Sequence, residues 1–477
     1  MPPFAFAHSL RPGHCMALLT LPFVLCACGS FKTRTNPAEG NPATPAKWKA
    51  AGSTTELDRV SLAQWWTRLN DPVLNQLITG ALVSSPDVRT ALSRIDEGRA
   101  RRGLESAALF PSLYIGGSAQ TRNSRNHETK VSSSSEFYST ALDASWQVDL
   151  FGKQKQTLRA ASADLAQTEE TYYSAQVSLA AELAQTYVGL RQAQAQLALK
   201  ERTIATRSET AQIAHWREQA GVSTGLDSLQ ADSTLEQDRA SLPTLKQTIA
   251  QTQNEIALLC GLAPGTLDMQ LKAARAIPQT SSRLAIGIPA QTLQQRPDVR
   301  AAMRGVEAAA ARTKAAERER LPSLDLSGSL SLEALRAGSL FSPETVAANL
   351  IGSLSAPIFD AGRISQNIAI QDAQTKQALI SYELTVLTAL KEVENALIAI
   401  RRLSELSETL GRAVKAAQQA SRLATQQYQA GQVSLVEVLE AQRTLFSVQE
   451  QQVNATADQT TAYIQLYKAL GGGWPVN

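Results

Sequence analysis

The chain has 477 residues, a formal charge of +3 and only 5% aromatic residues. That near-balance of charge, with no basic stripe interleaved with aromatics, gives no footing for a nucleic-acid partner. Of the four cysteines, Cys15, Cys26 and Cys28 lie at the N-terminus, so Cys260 alone cannot build a disulfide framework in the body of the chain.

Residues 17–25 (ALLTLPFVL) form an apolar core of signal-peptide length, too short to span a bilayer as a helix. Leu25 and Ala27 stand three and one before Cys28, the pattern of a bacterial lipoprotein cleavage box; Cys26 fits worse, because Phe23 and Leu25 would fill its small-residue positions. The expectation is a signal peptide over residues 1–27 and a lipid-anchored extended segment over 28–56. Cys28 would carry diacylglycerol and an N-acyl chain, and several chains are needed because one binds only marginally. Gly29, rather than an acid, follows the cysteine, which by analogy with bacterial lipoproteins favours the outer membrane.

The body of the chain is a tandem repeat. PDVRTALSRI at Pro86 recurs as PDVRAAMRGV at Pro297, an offset of 211, and PSL at Pro111 recurs at Pro322 with the same offset. FGK at Phe151 answers AGR at Ala361, and QAGVS at Gln219 answers QAGQVS at Gln429, both at an offset of 210. The repeats run over residues 57–269 and 270–477. Each predicts a helix with Asp87 or Asp298 in its first turn, a β-hairpin (112–150 or 323–359), a long helix, a tip at Gly221 or Gly431, and a second long helix. The run from Lys153 to Ala220 holds no proline and would reach about 100 Å at 1.5 Å per residue. Leu183, Leu190, Leu197 and Ile204 recur every heptad in it, and Leu379, Tyr382, Val386, Leu390, Val393, Leu397 and Ile400 step by three and four in the second copy. Taken alone, such helices also suit a structural coiled-coil lipoprotein.

The strands argue for a membrane. In SLDLSGSLSL, Leu324, Leu326, Leu330 and Leu332 share one face while Ser323, Asp325, Ser327, Ser329 and Ser331 share the other. Thr140, Leu142, Ala144, Trp146, Val148 and Leu150 alternate likewise with Asp143, Ser145, Gln147 and Asp149; residues 349–359 repeat the pattern, and 112–121 show it most weakly. Each run is about ten residues, the length of a tilted membrane strand with lipid on one face and a lumen on the other. The loops at 123–136 and 333–346 would face outside. Four strands cannot close, and an open edge in hydrocarbon leaves backbone groups unpaired, so two, three or four chains must combine to span.

Chemistry of other kinds is thin. No catalytic constellation, metal-ligand cluster or phosphate loop is present; His127 and His215 are isolated, and Gly471–Gly473 read as a helix end. No cofactor is implied beyond the covalent lipid, and the chain does not read as an enzyme.

Several motifs in order resemble a known family: residues 65–82 (WWTRLNDPVLNQLITGAL), 145–153 (SWQVDLFGK), 293–302 (LQQRPDVRAA), the APIFDAGR around Phe359, 428–445 (YQAGQVSLVEVLEAQRTL) and 466–474 (LYKALGGGW). Together they resemble the TolC-type outer-membrane efflux family and, with Cys28, its NodT-type lipoprotein branch. The resemblance implies a mixed α and β fold: a homotrimeric duct with four transmembrane β-strands per chain, twelve in all, continued by a long coiled-coil α-helical barrel in the periplasm. It implies a periplasmic adaptor, or membrane fusion protein, and an inner-membrane pump of the resistance-nodulation-division (RND) type as partners, with small toxic compounds as cargo. A secretion duct for polypeptides, of the type I kind, shares the architecture. The periplasmic gate is carried over onto Tyr428, three before Gly431, and onto Glu437 and Glu440, six and nine after it, as an acidic ring. Asp227, six after Gly221, matches the acid that accepts a latch bond. The turns at Gly221 and Gly431 would meet the adaptor. The latch arginine expected two after Gly431 is Val433 here.

Overall fold

The computed structural model describes residues 48–49, 62–125, 127–280, 293–343 and 346–474. The signal segment and Cys28 lie outside the described residues. A 3₁₀ turn at Trp65–Leu69 leads into α1 (Pro72–Ser84) and α2 (Pro86–Ala107). The hairpin β1 (Ser112–Arg125) and β2 (Ser132–Val148) precedes α3 (Lys153–Gln219), α4 (Gly225–Ala240) and α5 (Leu242–Leu259), with one helical turn at Asp268–Leu271. The second half repeats the order with α6 (Pro297–Arg318), β3 (Ser323–Ala334), β4 (Val346–Ser355), α7 (Arg363–Gln429) and α8 (Leu435–Ala469).

The four strands make one antiparallel sheet in the order β1-β2-β3-β4, so the two hairpins join through β2 and β3. Leu142 stands between Ile115 and Leu330, and Leu324 pairs Leu354, which gathers the apolar positions of all four strands on one face. Serines line the other: Ser112 and Ser145 hydroxyls are 2.8 Å apart, and Ser323 and Ser355 3.0 Å. The outer edges of β1 and β4 have no partner strand within the sheet.

Two strand expectations shift. β4 covers Val346–Ser355 rather than 349–359, because Pro357 has no N–H to give the ladder. β1 and β2 run well past the expected strand ends, to Arg125 and from Ser132, pairing Asn123 with Ser134 and Thr121 with Glu136. Polar residues pair there as readily as apolar ones once both faces are wet.

The twin long helices α3 and α7 are each 67 residues. Their N-termini are capped alike: Asp149 accepts from the backbone N–H of Gln154 and Lys155 at 3.1 and 2.9 Å, and Asp360 from Gly362 and Ile364 at 3.0 and 2.8 Å. The heptad residues Leu183, Leu190, Val386 and Val393 are buried, but Ile380, Leu384, Leu387 and Ile398 form a second, exposed apolar stripe on α7. The second helix pair is continuous through α8, whereas the expected long helix after Gly221 is broken into α4 and α5 at Ser241. Pro243, in the first turn of α5, lacks the N–H that would continue the ladder.

The main core ties both halves together. Trp65 stacks on Tyr467 of α8 with centroids 5.3 Å apart, among Leu74, Ile78, Leu183 and Leu190. Arg191 is fully buried there and donates to Tyr187 Oη at 2.7 Å, Gln194 Oε1 at 2.7 Å and the Ala273 carbonyl at 2.8 Å. Tyr187 in turn donates to Asp71, which caps α1. Burial, reinforced by the Asp71 carboxylate, pushes the Tyr187 phenol up to about 12. Cys260 caps α5 as a buried thiol, raised to about 11 by that burial. Among the described residues no helix is long and apolar enough to cross a membrane.

Candidate functional site at the helix tips

The two tips are the same motif. At the end of α3, Val222 N–H donates to the Arg217 carbonyl and Gly221 N–H to that of Glu218, both at 2.9 Å. At the end of α7, Gln432 N–H donates to Gln427 at 2.9 Å and Gly431 N–H to Tyr428 at 3.0 Å. This closure needs a left-handed residue just past the helix, and glycine supplies it: φ is +72° at Gly221 and +73° at Gly431.

The expected residues lie around these turns, and each has definite contacts within the chain. Tyr428 is 3% exposed and packs with Ala214, Leu235, Leu435 and Val438 in a small core. Its hydroxyl is buried with no hydrogen-bond partner among the described residues. Burial raises the phenol above its ordinary value, Arg217 opposes that rise and Asp227 adds to it. Asp227 is a half-buried acid in the first turn of α4, at the helix's positive end. Val433 is partly buried against the Tyr428 core and brings no charge.

Glu437 reaches back to the start of α8. Its Oε2 accepts from the Ser434 N–H at 2.5 Å and from the Ser434 hydroxyl, completing a capping box. These bonds, the hydroxyl first and then the backbone N–H, hold the Glu437 carboxyl below the ordinary glutamate value. The stability they contribute is present above the unfolded-state value and is lost as pH falls through the lowered folded one. Glu440 lies one turn on and pairs with Arg443 at 2.8 Å, both side chains exposed. The two carboxylates are therefore exposed at the tip but differently engaged.

The sequence alone does not single out Arg217, and the structure does. Its Nη1 donates to the Tyr428 carbonyl at 3.0 Å, and its guanidinium lies over the Tyr428 ring, 4.7 Å from the centroid. A cation from the first helix hairpin thus sits on the last turn of α7, where carbonyls and the helix dipole are negative. Val222, Leu226, Leu229 and Val436 leave an exposed apolar rim around both turns.

The described residues hold no group of His, Cys, Asp and Glu set to bind a metal ion. The family described as outer membrane efflux protein matches twice, over residues 77–262 and 288–472. Nodulation protein T of Rhizobium leguminosarum bv. viciae is 29% identical over 98% of this chain and 94% of its own length. The cation efflux system protein CusC of Escherichia coli O6:H1 is 31% identical over 89% of this chain and 91% of its own. Among solved structures, the outer-membrane channel OprN superposes with a TM-score of 0.85 at 32% identity, covering 91% of this chain and 98% of that one. With both halves of the body matched, the sheet and the twin helix hairpins in place, the chain belongs to the outer membrane efflux protein family.

Proposed function

We propose that three copies close a twelve-stranded barrel in the outer membrane and continue it as an α-helical duct through the periplasm. Each repeat, residues 57–269 and 270–477, gives one hairpin to the barrel and one helix pair to the duct. The cargo is small toxic compounds, passed on by an RND-type inner-membrane pump through a periplasmic adaptor. The observation that carries this reading is the open sheet, apolar on one face and serine-lined on the other, with unpaired edges at β1 and β4. Edges like these cannot stay open in hydrocarbon, so β4 of one copy meets β1 of the next. The exposed stripe of Ile380, Leu384, Leu387 and Ile398 on α7 supports the same assembly, as a face for a neighbouring copy.

The tips are the gate. Gly221 and Gly431, with the apolar rim of Val222, Leu226, Leu229 and Val436, face the adaptor. Glu437 and Glu440 line the mouth with Asp227 and Tyr428 behind them. Arg443 offsets part of this charge, so the two ring glutamates and Arg443 carry a net −1 per chain (two carboxylates against one guanidinium). Bilayer recording of the purified protein tests the ring. Glu437→Gln with Glu440→Gln is expected to weaken cation preference and block by divalent cations added on the periplasmic side. Unchanged selectivity and block would place these carboxylates away from the constriction.

Cys28 anchors the mature chain by lipid, a reading supported by Leu25, Ala27 and the short apolar core before them. Cys28→Ser is expected to abolish incorporation of radioactive palmitate in bacteria; undiminished labelling would sink the assignment.

A further inference from the structure

The two helix hairpins share one design but are held shut by different chemistry. At the 210-residue offset of the tips, Lys200, Arg207 and Asp238 of the first copy answer to Leu410, Ala417 and Val448 of the second. Leu410 is buried and Ala417 and Val448 are half-buried, with no charge among them. In the first hairpin, Lys200 Nζ of α3 donates to Asp238 Oδ1 of α4 at 3.1 Å. Arg207 Nε stands 2.5 Å from Asp238 Oδ2, without the alignment of a hydrogen bond. All three side chains are largely shielded from solvent. Lys200 and Arg207 lie seven residues, about two turns, apart on α3, so one carboxylate spans both. Lys200 Nζ also sits 3.9 Å from the centroid of the Phe446 ring, which ties the cluster to α8 of the second hairpin.

Stability alone does not account for this cluster. Arg207 Nε and Nη1 and Asp238 Oδ2 are buried with no hydrogen-bond partner among the described residues. A half-satisfied ionic group in a buried seam stabilises less than apolar side chains of similar volume. Asp238 also lies in the last turn of α4, where the helix dipole disfavours a carboxylate. Its position does offer another use. The Ser241 N–H and hydroxyl both donate to the Asp238 carbonyl, at 3.2 and 2.6 Å, at the break between α4 and α5. α8 runs unbroken through the corresponding stretch. We propose that Lys200, Asp238 and Arg207 form a releasable clasp. Closed, it holds the tip segment of α4 against α3; released, it lets that segment swing about the break at Ser241 and widen the mouth. Charge suits this use because parted ions regain hydration, whereas parted apolar faces do not. The inference rests on the duct reading, with the tips as the gate.

The test installs the second hairpin's residues in the first, as Lys200→Leu with Arg207→Ala and Asp238→Val, and sets that triple variant beside Asp238→Asn. Each full-length protein is melted in detergent and then recorded in planar bilayers. Asp238→Asn strands two buried cations, so its Tm is expected to fall by about 2–4 °C or more and its conductance to rise several-fold. The triple variant is expected to melt at or above the wild-type Tm and yet to conduct several-fold less, because its hairpin no longer releases. A cluster that merely fills the seam moves Tm and leaves the mouth alone. Wild-type conductance in the triple variant therefore overturns the clasp whatever its Tm. Unchanged conductance in Asp238→Asn overturns it equally, so either variant decides if the other fails to assemble. A wild-type protein that conducts nothing defeats the duct reading and the clasp with it, whereas a conducting wild type with unaltered variants defeats the clasp alone.

Discussion

Leu326→Arg or Leu354→Arg is expected to abolish the assembled channel, while Ser327→Arg and Ser353→Arg leave it intact. Leu326 stands between Trp146 and Gly352 on the apolar face, and Leu354 pairs Leu324 on the same face at 68% exposure in the single chain. Lipid is the solvent of that face. An arginine there at mid-bilayer costs about 2–4 kcal/mol per chain, or about 6–12 kcal/mol for the three copies of the proposed trimer. That is comparable with the whole stability of a typical domain. One residue along, the side chain turns to the opposite face. Ser327 faces Ser145 across β2 and β3, and Ser353 faces Asp325, which would accept an arginine as an ion pair. The measurement is the oligomer band of an unheated membrane extract on a gel. Loss of the band in all four variants, or in none, would mean that the two faces are wrongly assigned.

The faces could be read from sequence because the signal has a period of two and one side meets hydrocarbon. Strand ends were harder to read. Alternation continues through Ala356 and Ile358, yet Pro357 stops the ladder at Ser355. Ile358 and Phe359 remain exposed beyond it, so the apolar pattern outruns the strand. Pro243 carried an equally plain signal for the break between α4 and α5, overshadowed by the symmetry of the repeat. Glu437 shows two signals competing at one residue. Ser434-Leu-Val-Glu437 is a capping-box sequence, and the structure engages the carboxylate as a cap; the ring position is what the resemblance implies for the same carboxylate. Arg217 had no comparable signal. Its importance depends on where α7 ends relative to α3, a contact between residues 211 apart. The position corresponding to Arg217 in the second copy, 210 residues on, is Gln427, so the repeat offered no hint of it either.

With the tips as the proposed gate, Arg217→Ala is expected to favour the open state, and Tyr428→Phe to leave the gate unchanged. The family resemblance points to the tyrosine hydroxyl and to an arginine two after Gly431. In this chain Val433 occupies the second position, and the Tyr428 hydroxyl has no partner among the described residues. Removing a buried, unpaired hydroxyl forfeits no bond and relieves a desolvated group, so Tyr428→Phe should be neutral or slightly stabilising. Arg217 is different. It makes a charge-assisted bond to the Tyr428 carbonyl and stacks on the ring, so its loss removes two contacts across the hairpin seam. The guanidinium is partly exposed, which holds the cost to about 1–2 kcal/mol per chain. If three tips open together, that becomes about 3–6 kcal/mol, a shift of roughly a hundredfold or more toward the open state. Arg217→Lys should recover only part of it, because an ammonium keeps the charge but loses the planar stacking. Single-channel conductance of the purified protein in planar bilayers separates the cases. Arg217→Ala should conduct more than wild type and Tyr428→Phe should match it. The reverse order would mean that the tip is held by the hydroxyl reaching a neighbouring copy rather than by the arginine within each chain.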